Sequence, residues 1–142
     1  MNVRTILERK GRTVITVLDS IRVEDAVRVM DEHRIGAVVV MNDGGDVRGI
    51  LSERDVMHRI GRDGVAALWG RVSDCMTERL RTCGEGDSVD EVLAVMTERR
   101  IRHLPVLRDG RLVGMMSIGD LVKARIDEVE RDVSDLMSYV AG

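Results

Sequence analysis

The feature that most constrains this chain is that it is written twice. Gly49-Ile50-Leu51-Ser52-Glu53-Arg54-Asp55 returns as Gly114-Met115-Met116-Ser117-Ile118-Gly119-Asp120: a Gly, two apolar residues, a Ser, and an Asp three positions later. The likeness extends upstream. At an offset of 66, Thr16, Val23, Val29, Met30, Glu32, Arg34, Ile35, Val40, Asp43 and Gly44 meet identical residues at Thr82, Val89, Val95, Met96, Glu98, Arg100, Ile101, Val106, Asp109 and Gly110. One extra residue near Gly45 shifts the offset to 65 over the motif. Two copies in 142 residues leave each half near the size at which a separate core becomes marginal. The halves are therefore expected to share one core.

Each half reads β-α-β-β-α. In the first, the β-branched run 13–17 predicts a strand. Val23, Ala26, Val27 and Met30 fall at i, i+3, i+4 and i+7, one face of a helix. The apolar run 37–41 predicts a buried strand, and Asn42-Asp43-Gly44-Gly45 a turn into a returning strand over 46–51. Ser52 is placed to cap a helix running to Ile60. In the second half a short strand is expected over 80–83, and Val89, Val92, Leu93 and Met96 form the helix face. Ser88 and Glu91 have the spacing of a capping box, whereas Arg22 holds that cap position in the first half. Hairpin strands over 104–107 and 111–116 follow, and Ser117 opens the next helix. The segment Val3-Arg4-Thr5-Ile6-Leu7 resembles Val72-Ser73-Asp74-Cys75-Met76, a short amphipathic turn before each unit, and 61–70 reads as a linker with one short helix.

Composition excludes several function classes. Trp69 and Tyr139 are the only aromatic residues, so bases have no stacking platform. The balance of 22 basic and 25 acidic residues, interspersed, gives no electrostatic case for nucleic acid. No apolar run approaches a membrane span, and the start of the chain lacks a signal-peptide stretch, so a cytoplasmic location is expected. Cys75 and Cys83 are then reduced thiols, and the seven residues between them match no common zinc spacing. The three His (His33, His58, His103) show no metal spacing, no Ser has an evident base, and no nucleotide-fold glycine pattern occurs. The chain reads as non-enzymatic and metal-free.

The tandem unit, the two Gly-x-x-Ser-x-x-Asp endings and the run Arg102-His103-Leu104-Pro105-Val106 resemble a pair of CBS domains, the cystathionine β-synthase domain family, also called a Bateman module. The resemblance covers about Val3 to Ile126. It implies an α+β fold: tandem β-α-β-β-α units packed around a pseudo-twofold axis, with a C-terminal helix. Unit boundaries are expected at 1–62 and 72–126, with a linker over 63–71 and a helical extension over 127–142. It implies a regulatory or sensor module that binds adenosine-containing ligands in clefts between the units, AMP first, with ATP, ADP, NAD or S-adenosylmethionine as alternatives. Asp55 and Asp120 would hold ribose hydroxyls, and Ser52 and Ser117 would meet the first phosphate. Ile15 and Thr16, with Thr82 opposite in the repeat, would bracket adenine. Arg54 lies inside the first motif, and Arg102 and His103, stiffened by Pro105, would reach phosphate held by the other half. Because the matching positions in the first half are Gly36 and Ala37, the clefts should differ, with the Ser52–Asp55 cleft the stronger phosphate site. The rival reading is a structural or protein-interaction module, or an enzyme's accessory subunit, with no nucleotide role.

The chemistry suits these roles. An ionised carboxylate only accepts hydrogen bonds, and a ribose offers two adjacent hydroxyl donors. A Ser at a helix N-terminus adds a hydroxyl to backbone N–H groups that favour a phosphate. The alternative is that Ser merely caps the helix and Asp sits in its first turn. Beyond the repeat, Val122, Ile126, Val129, Val133, Leu136 and Val140 are spaced as an a/d seam. It is expected either to close a homodimer or to fold back, breaking near Asp132-Val133-Ser134.

Overall fold

The computed structural model describes residues 1–141; Gly142, the last residue of the expected 127–142 extension, lies outside the described residues. The elements are α1 (Val3–Lys10), β1 (Thr16–Leu18), α2 (Val23–His33), β2 (Ala37–Met41), β3 (Val47–Ser52), α3 (Glu53–Asp63), a 3-10 turn (Val65–Trp69), α4 (Val72–Cys75), α5 (Val89–Arg99), β4 (His103–Arg108), β5 (Arg111–Ser117) and α6 (Ile118–Ala141). This is the mixed helix-and-strand, two-sheet architecture the sequence implies, ending in a long helix. Contacts group the residues into a continuous unit, Val14–Arg81, and a split unit formed by Met1–Thr13 and the chain from Thr82 onward.

In the continuous unit, β1 runs parallel to β2 with Thr16 opposite Val39, and β2 pairs antiparallel with β3. Val38, Val39 and Val40 are buried, so the run has no polar face to alternate. The strand expected over 13–17 starts later, at Thr16, although the Ile15 carbonyl accepts the Val39 N–H at 3.3 Å. In the split unit, β4 and β5 form an antiparallel hairpin. The strand expected over 80–83 is not formed: it shrinks to one parallel bridge, Cys83 to Val106. A tight turn stops it. The Gly84 N–H donates to Asp87 Oδ2 at 2.8 Å, and the Asp87 N–H returns to the Gly84 carbonyl at 3.2 Å.

The repeated helix ends have local causes. The Ser88 hydroxyl accepts the Glu91 N–H at 3.1 Å, the forward half of the expected capping box. In the first copy the guanidinium of Arg22 has no acceptor to offer, and Asp25 instead accepts the Arg22 N–H at 3.4 Å. Arg34 and Arg100, identical in the repeat, both end their helices in the left-handed region, with φ of 53° and 54°. The next residues, Ile35 and Ile101, each return an N–H to a methionine carbonyl, Met30 and Met96, at 3.0 Å.

Each unit holds its own cluster of buried apolar residues. The physical reason lies in the leading segments, each of which docks beside the other copy's repeat. The Val3 and Arg4 N–H groups donate to the carbonyls of Asp87 and Glu85; the Val72 and Ser73 N–H groups donate to those of Ile21 and Asp19. These are equivalent positions of the repeat. Val3, Ile6 and Leu7 thus fill the split unit's core, and Val72 and Met76 the continuous unit's. Each half alone lacks this apolar surface and gains it from a helix that precedes its partner in sequence.

Glu85 reinforces the docking of α1. Its side chain is only 4% exposed, and its carboxylate accepts from Arg4 Nε at 3.1 Å, Arg12 Nη1 at 2.8 Å and Arg108. The Arg12 bond lowers its pKa most; burial opposes; Arg4 and Arg108 add to the lowering, and the result is about 2. At the other end of the split unit, α6 is one unbroken helix of 24 residues. The break considered near Asp132-Val133-Ser134 does not occur. Leu121 and Ala124 are buried, whereas the whole seam from Val122 to Val140 is exposed.

Candidate functional site: the paired Ser-x-x-Asp motifs

Each motif sits where a strand passes directly into a helix. Ser52 ends β3 and caps α3; Ser117 ends β5 and leads into α6. The Asp55 N–H donates to Ser52 Oγ at 3.2 Å, while Asp55 Oδ2 accepts the Ser52 N–H at 2.9 Å and its hydroxyl at 3.0 Å. The second copy repeats the geometry: Asp120 N–H to Ser117 Oγ at 3.1 Å, and Ser117 N–H to Asp120 Oδ2 at 2.9 Å. Both Asp side chains are therefore fixed on the same side as their Ser, within one helical turn. The capping interpretation and the ligand interpretation are compatible in this geometry, because capping leaves carboxylate lone pairs over.

The glycine of each motif has a purely steric task. A Cβ at Gly49 would lie 2.6 Å from the Thr77 carbonyl oxygen, and one at Gly114 would lie 2.6 Å from Leu7 Cδ2. The glycines thus admit the leading helices, and neither has a positive φ.

What the motifs do not share is the third partner of the carboxylate. Asp55 Oδ1 accepts the Thr77 hydroxyl at 3.0 Å. Asp120 Oδ2 accepts the Lys10 ammonium at 2.6 Å. Burial pushes the Asp120 carboxyl up, but Lys10 and the Ser117 N–H outweigh it and hold the group below the ordinary carboxylate range. Neither Thr77 nor Lys10 was identified from sequence. Both lie just after a leading segment, and only the docking of that segment brings them to the motif.

The other expected site residues lie within their own units. Thr16 begins β1, which neighbours β2, and Ile15 lies just before it. Arg54 is exposed in the first turn of α3. Thr82 is exposed and directly precedes the bridge at Cys83. His103 faces Ser117 across the β4–β5 ladder, with the buried Pro105 two residues on. The Arg102 carbonyl accepts the Ile118 N–H at 2.8 Å, as Gly36 accepts that of Glu53 at 2.9 Å. Arg102 and His103 are thus the structural counterparts of Gly36 and Ala37. Among the described residues no group of three His, Cys, Asp or Glu could hold a metal, and no helix is long and apolar enough to cross a membrane.

The two thiols lie beside this framework. Cys75 Sγ donates to the Asp55 carbonyl at 3.6 Å, and burial, then Asp55, raise its pKa against the pull of Arg59. Burial, with Asp87, pushes the Cys83 thiol up to about 12.

The CBS-domain family model matches residues 5–62 and 72–127. The chain belongs to the CBS-domain family. It carries two CBS domains, and each contains one of the paired motifs. It is 38% identical over 124 residues to the mitochondrial CBS domain-containing protein CBSX3 of Arabidopsis thaliana, covering 84% of this chain and 60% of that protein's length. Its fold is similar to the CBS-domain protein ATU1752 of Agrobacterium tumefaciens, with 42% identity, a TM-score of 0.86, and coverage of 87% and 92% of the two chains. The CBS domain pair of MJ0100, solved in complex with 5'-methylthioadenosine and S-adenosyl-L-methionine, shares the fold at a TM-score of 0.78 with 23% identity, over 90% of this chain and 98% of that one.

Proposed function

We propose that this CBS pair is a non-enzymatic sensor of adenosine-containing nucleotides, cytoplasmic and homodimeric, with AMP the first candidate ligand. The observation that carries this reading is the duplicated strand-to-helix junction, in which Ser and Asp are fixed side by side with acceptor capacity to spare. That the MJ0100 pair binds two adenosine ligands supports the ligand class.

The hydrogen bonds of the motif are compatible with a bound ribose phosphate. An ionised carboxylate has roughly four acceptor positions. Asp55 uses them for the Ser52 N–H, the Ser52 hydroxyl and the Thr77 hydroxyl. A phosphate at the N-terminus of α3 draws the Ser52 hydroxyl toward itself. That rotation releases a position on Asp55, which can then accept both ribose hydroxyls. Phosphate and ribose recognition are thereby coupled through one hydroxyl rotor. Ile15, Thr16 and Thr82 would flank adenine, and Arg54, Arg102 and His103 would supply donors to phosphate.

Calorimetry with Asp55→Ala tests the proposal. Loss of an acceptor for two hydroxyls should weaken AMP by about 1.5–3 kcal/mol, as for hydrogen bonds to charged groups. Unchanged affinity would defeat it. The exposed seam of α6 favours self-association: a lone helix with such a face is marginal in water, and its seven-residue period matches a second copy of itself.

A further inference from the structure

The two motifs present different charges to a ligand. Around Asp55 the carboxylate's partners are a backbone N–H and two neutral hydroxyls. Around Asp120 one partner is an ammonium, and the carboxylate's charge is neutralised at contact distance. Lys10 is held there by its helix. Val3 and Leu7 of α1 are fully buried, Leu7 lies against Gly114 of the same motif, and Glu85 ties down Arg4 and Arg12 on either side. The Lys10 side chain remains 32% exposed, so its other two N–H donors are open to an incoming group. Lys10 Nζ and the Ser117 N–H share one oxygen, Asp120 Oδ2, and so lie within two hydrogen-bond lengths of each other. Asp120 Oδ1 takes no part in these two bonds.

We propose that Lys10 is a specificity residue that makes the Ser117–Asp120 motif select phosphorylated over unphosphorylated adenosine ligands. The inference rests on the nucleotide-binding reading. A phosphate near Ser117 meets a neutralised carboxylate and a preplaced ammonium, whereas near Ser52 the carboxylate of Asp55 accepts from a backbone N–H and two hydroxyls. Adenosine has no phosphate charge for the Lys10 ammonium to meet, so Lys10 contributes far less to its binding. This assigns phosphate selectivity to the second motif, where the sequence alone favours the first.

The test is an amide-resolved NMR titration of the full-length protein with adenosine and with AMP, followed at Ser117 and Asp120 and separately at Ser52 and Asp55. Wild type, Lys10→Met and Lys10→Arg are compared. Lys10→Met keeps the aliphatic stem over the surface and removes only the charge. It should weaken AMP at Ser117–Asp120 about tenfold, leave adenosine there within about twofold, and leave both ligands unchanged at Ser52–Asp55; a tenfold loss is about 1.4 kcal/mol. Lys10→Arg should restore the preference for AMP. An unchanged AMP-to-adenosine ratio in Lys10→Met overturns the inference. So does equal tightening of both ligands, which would make Lys10 a competitor for the carboxylate. If neither pair of amides responds to either ligand in wild type, the nucleotide reading fails and this inference with it; a response at Ser52–Asp55 without any Lys10 effect overturns this inference alone.

Discussion

Gly114 and Leu7 offer a sharp test of how the split unit is assembled, because they should trade places energetically. Leu7 is fully buried, and its tip occupies the space a Cβ on Gly114 would need, with Cδ2 at 2.6 Å and Cδ1 at 2.9 Å. Leu7→Ala removes three carbons, about 2.4 kcal/mol at ~0.8 per methylene, and leaves a cavity that brings the cost to about 3–4 kcal/mol. Gly114→Ala alone drives a methyl group about 1 Å too close to that tip and should cost about 1–3 kcal/mol. In the Leu7→Ala background the obstructing atoms are gone. Gly114 has no positive φ, so the added Cβ then mainly restricts the unfolded chain and should stabilise by up to ~1 kcal/mol. The sign of Gly114→Ala therefore reverses between backgrounds, with a coupling energy of about 2 kcal/mol. Urea unfolding followed by circular dichroism on the four proteins of the cycle measures it. Additive effects would refute the docking of α1 on the second motif.

Other consequences are as direct. Glu85 has its folded pKa lowered from 4.5 to about 2, so its contribution is full above pH 4.5 and is lost as pH falls toward 2; the melting temperature of wild type should fall more steeply over that interval than that of Glu85→Gln, and parallel curves would contradict the three-arginine clasp. Arg34→Gly should raise stability by about 0.5–1 kcal/mol by relieving a left-handed non-glycine residue, measured as a shifted urea midpoint with unchanged slope. Cys83 should resist alkylation at pH 8 in the native protein, its thiol being pushed up to about 12, and react at an ordinary thiol rate only in denaturant, as followed by mass spectrometry. Truncation after Ala124 removes most of the α6 seam and should convert a homodimer to monomer in light scattering at micromolar concentration; a dimer that survives would place the contact elsewhere.

Much of this molecule is legible in its sequence because the signals are local. A helix face at i, i+3, i+4 and i+7 needs only its own residues, and α2 and α5 occur where Val23–Met30 and Val89–Met96 indicate. The β2–β3 turn follows from Asn-Asp-Gly-Gly, and both motif serines sit at helix starts because a hydroxyl there satisfies donors in the next turn. The repeat also marks both Asp residues as equivalents, and the backbone bears that out to within 0.1 Å in the bonds that close the turn. The short strand expected over 80–83 does not form for the same reason in reverse: its residues have strand character, but the Gly84–Asp87 turn takes the backbone away after one bridge.

The sequence by itself determines two copies of one supersecondary unit, the order of elements within each, and a Ser and an Asp at the head of each closing helix. It does not determine which copy receives each leading segment, since an amphipathic turn displays the same apolar face wherever it docks. The tertiary structure decides that, seating α1 beside the second repeat and α4 beside the first. The difference between the two sites follows from the same choice. Thr77 and Lys10 are 22 and 110 residues from the carboxylates they reach. No local pattern relates residues so far apart; packing of Leu7 on Gly114 and Met76 on Gly49 brings them together, and with them a neutral partner to one motif and a cation to the other.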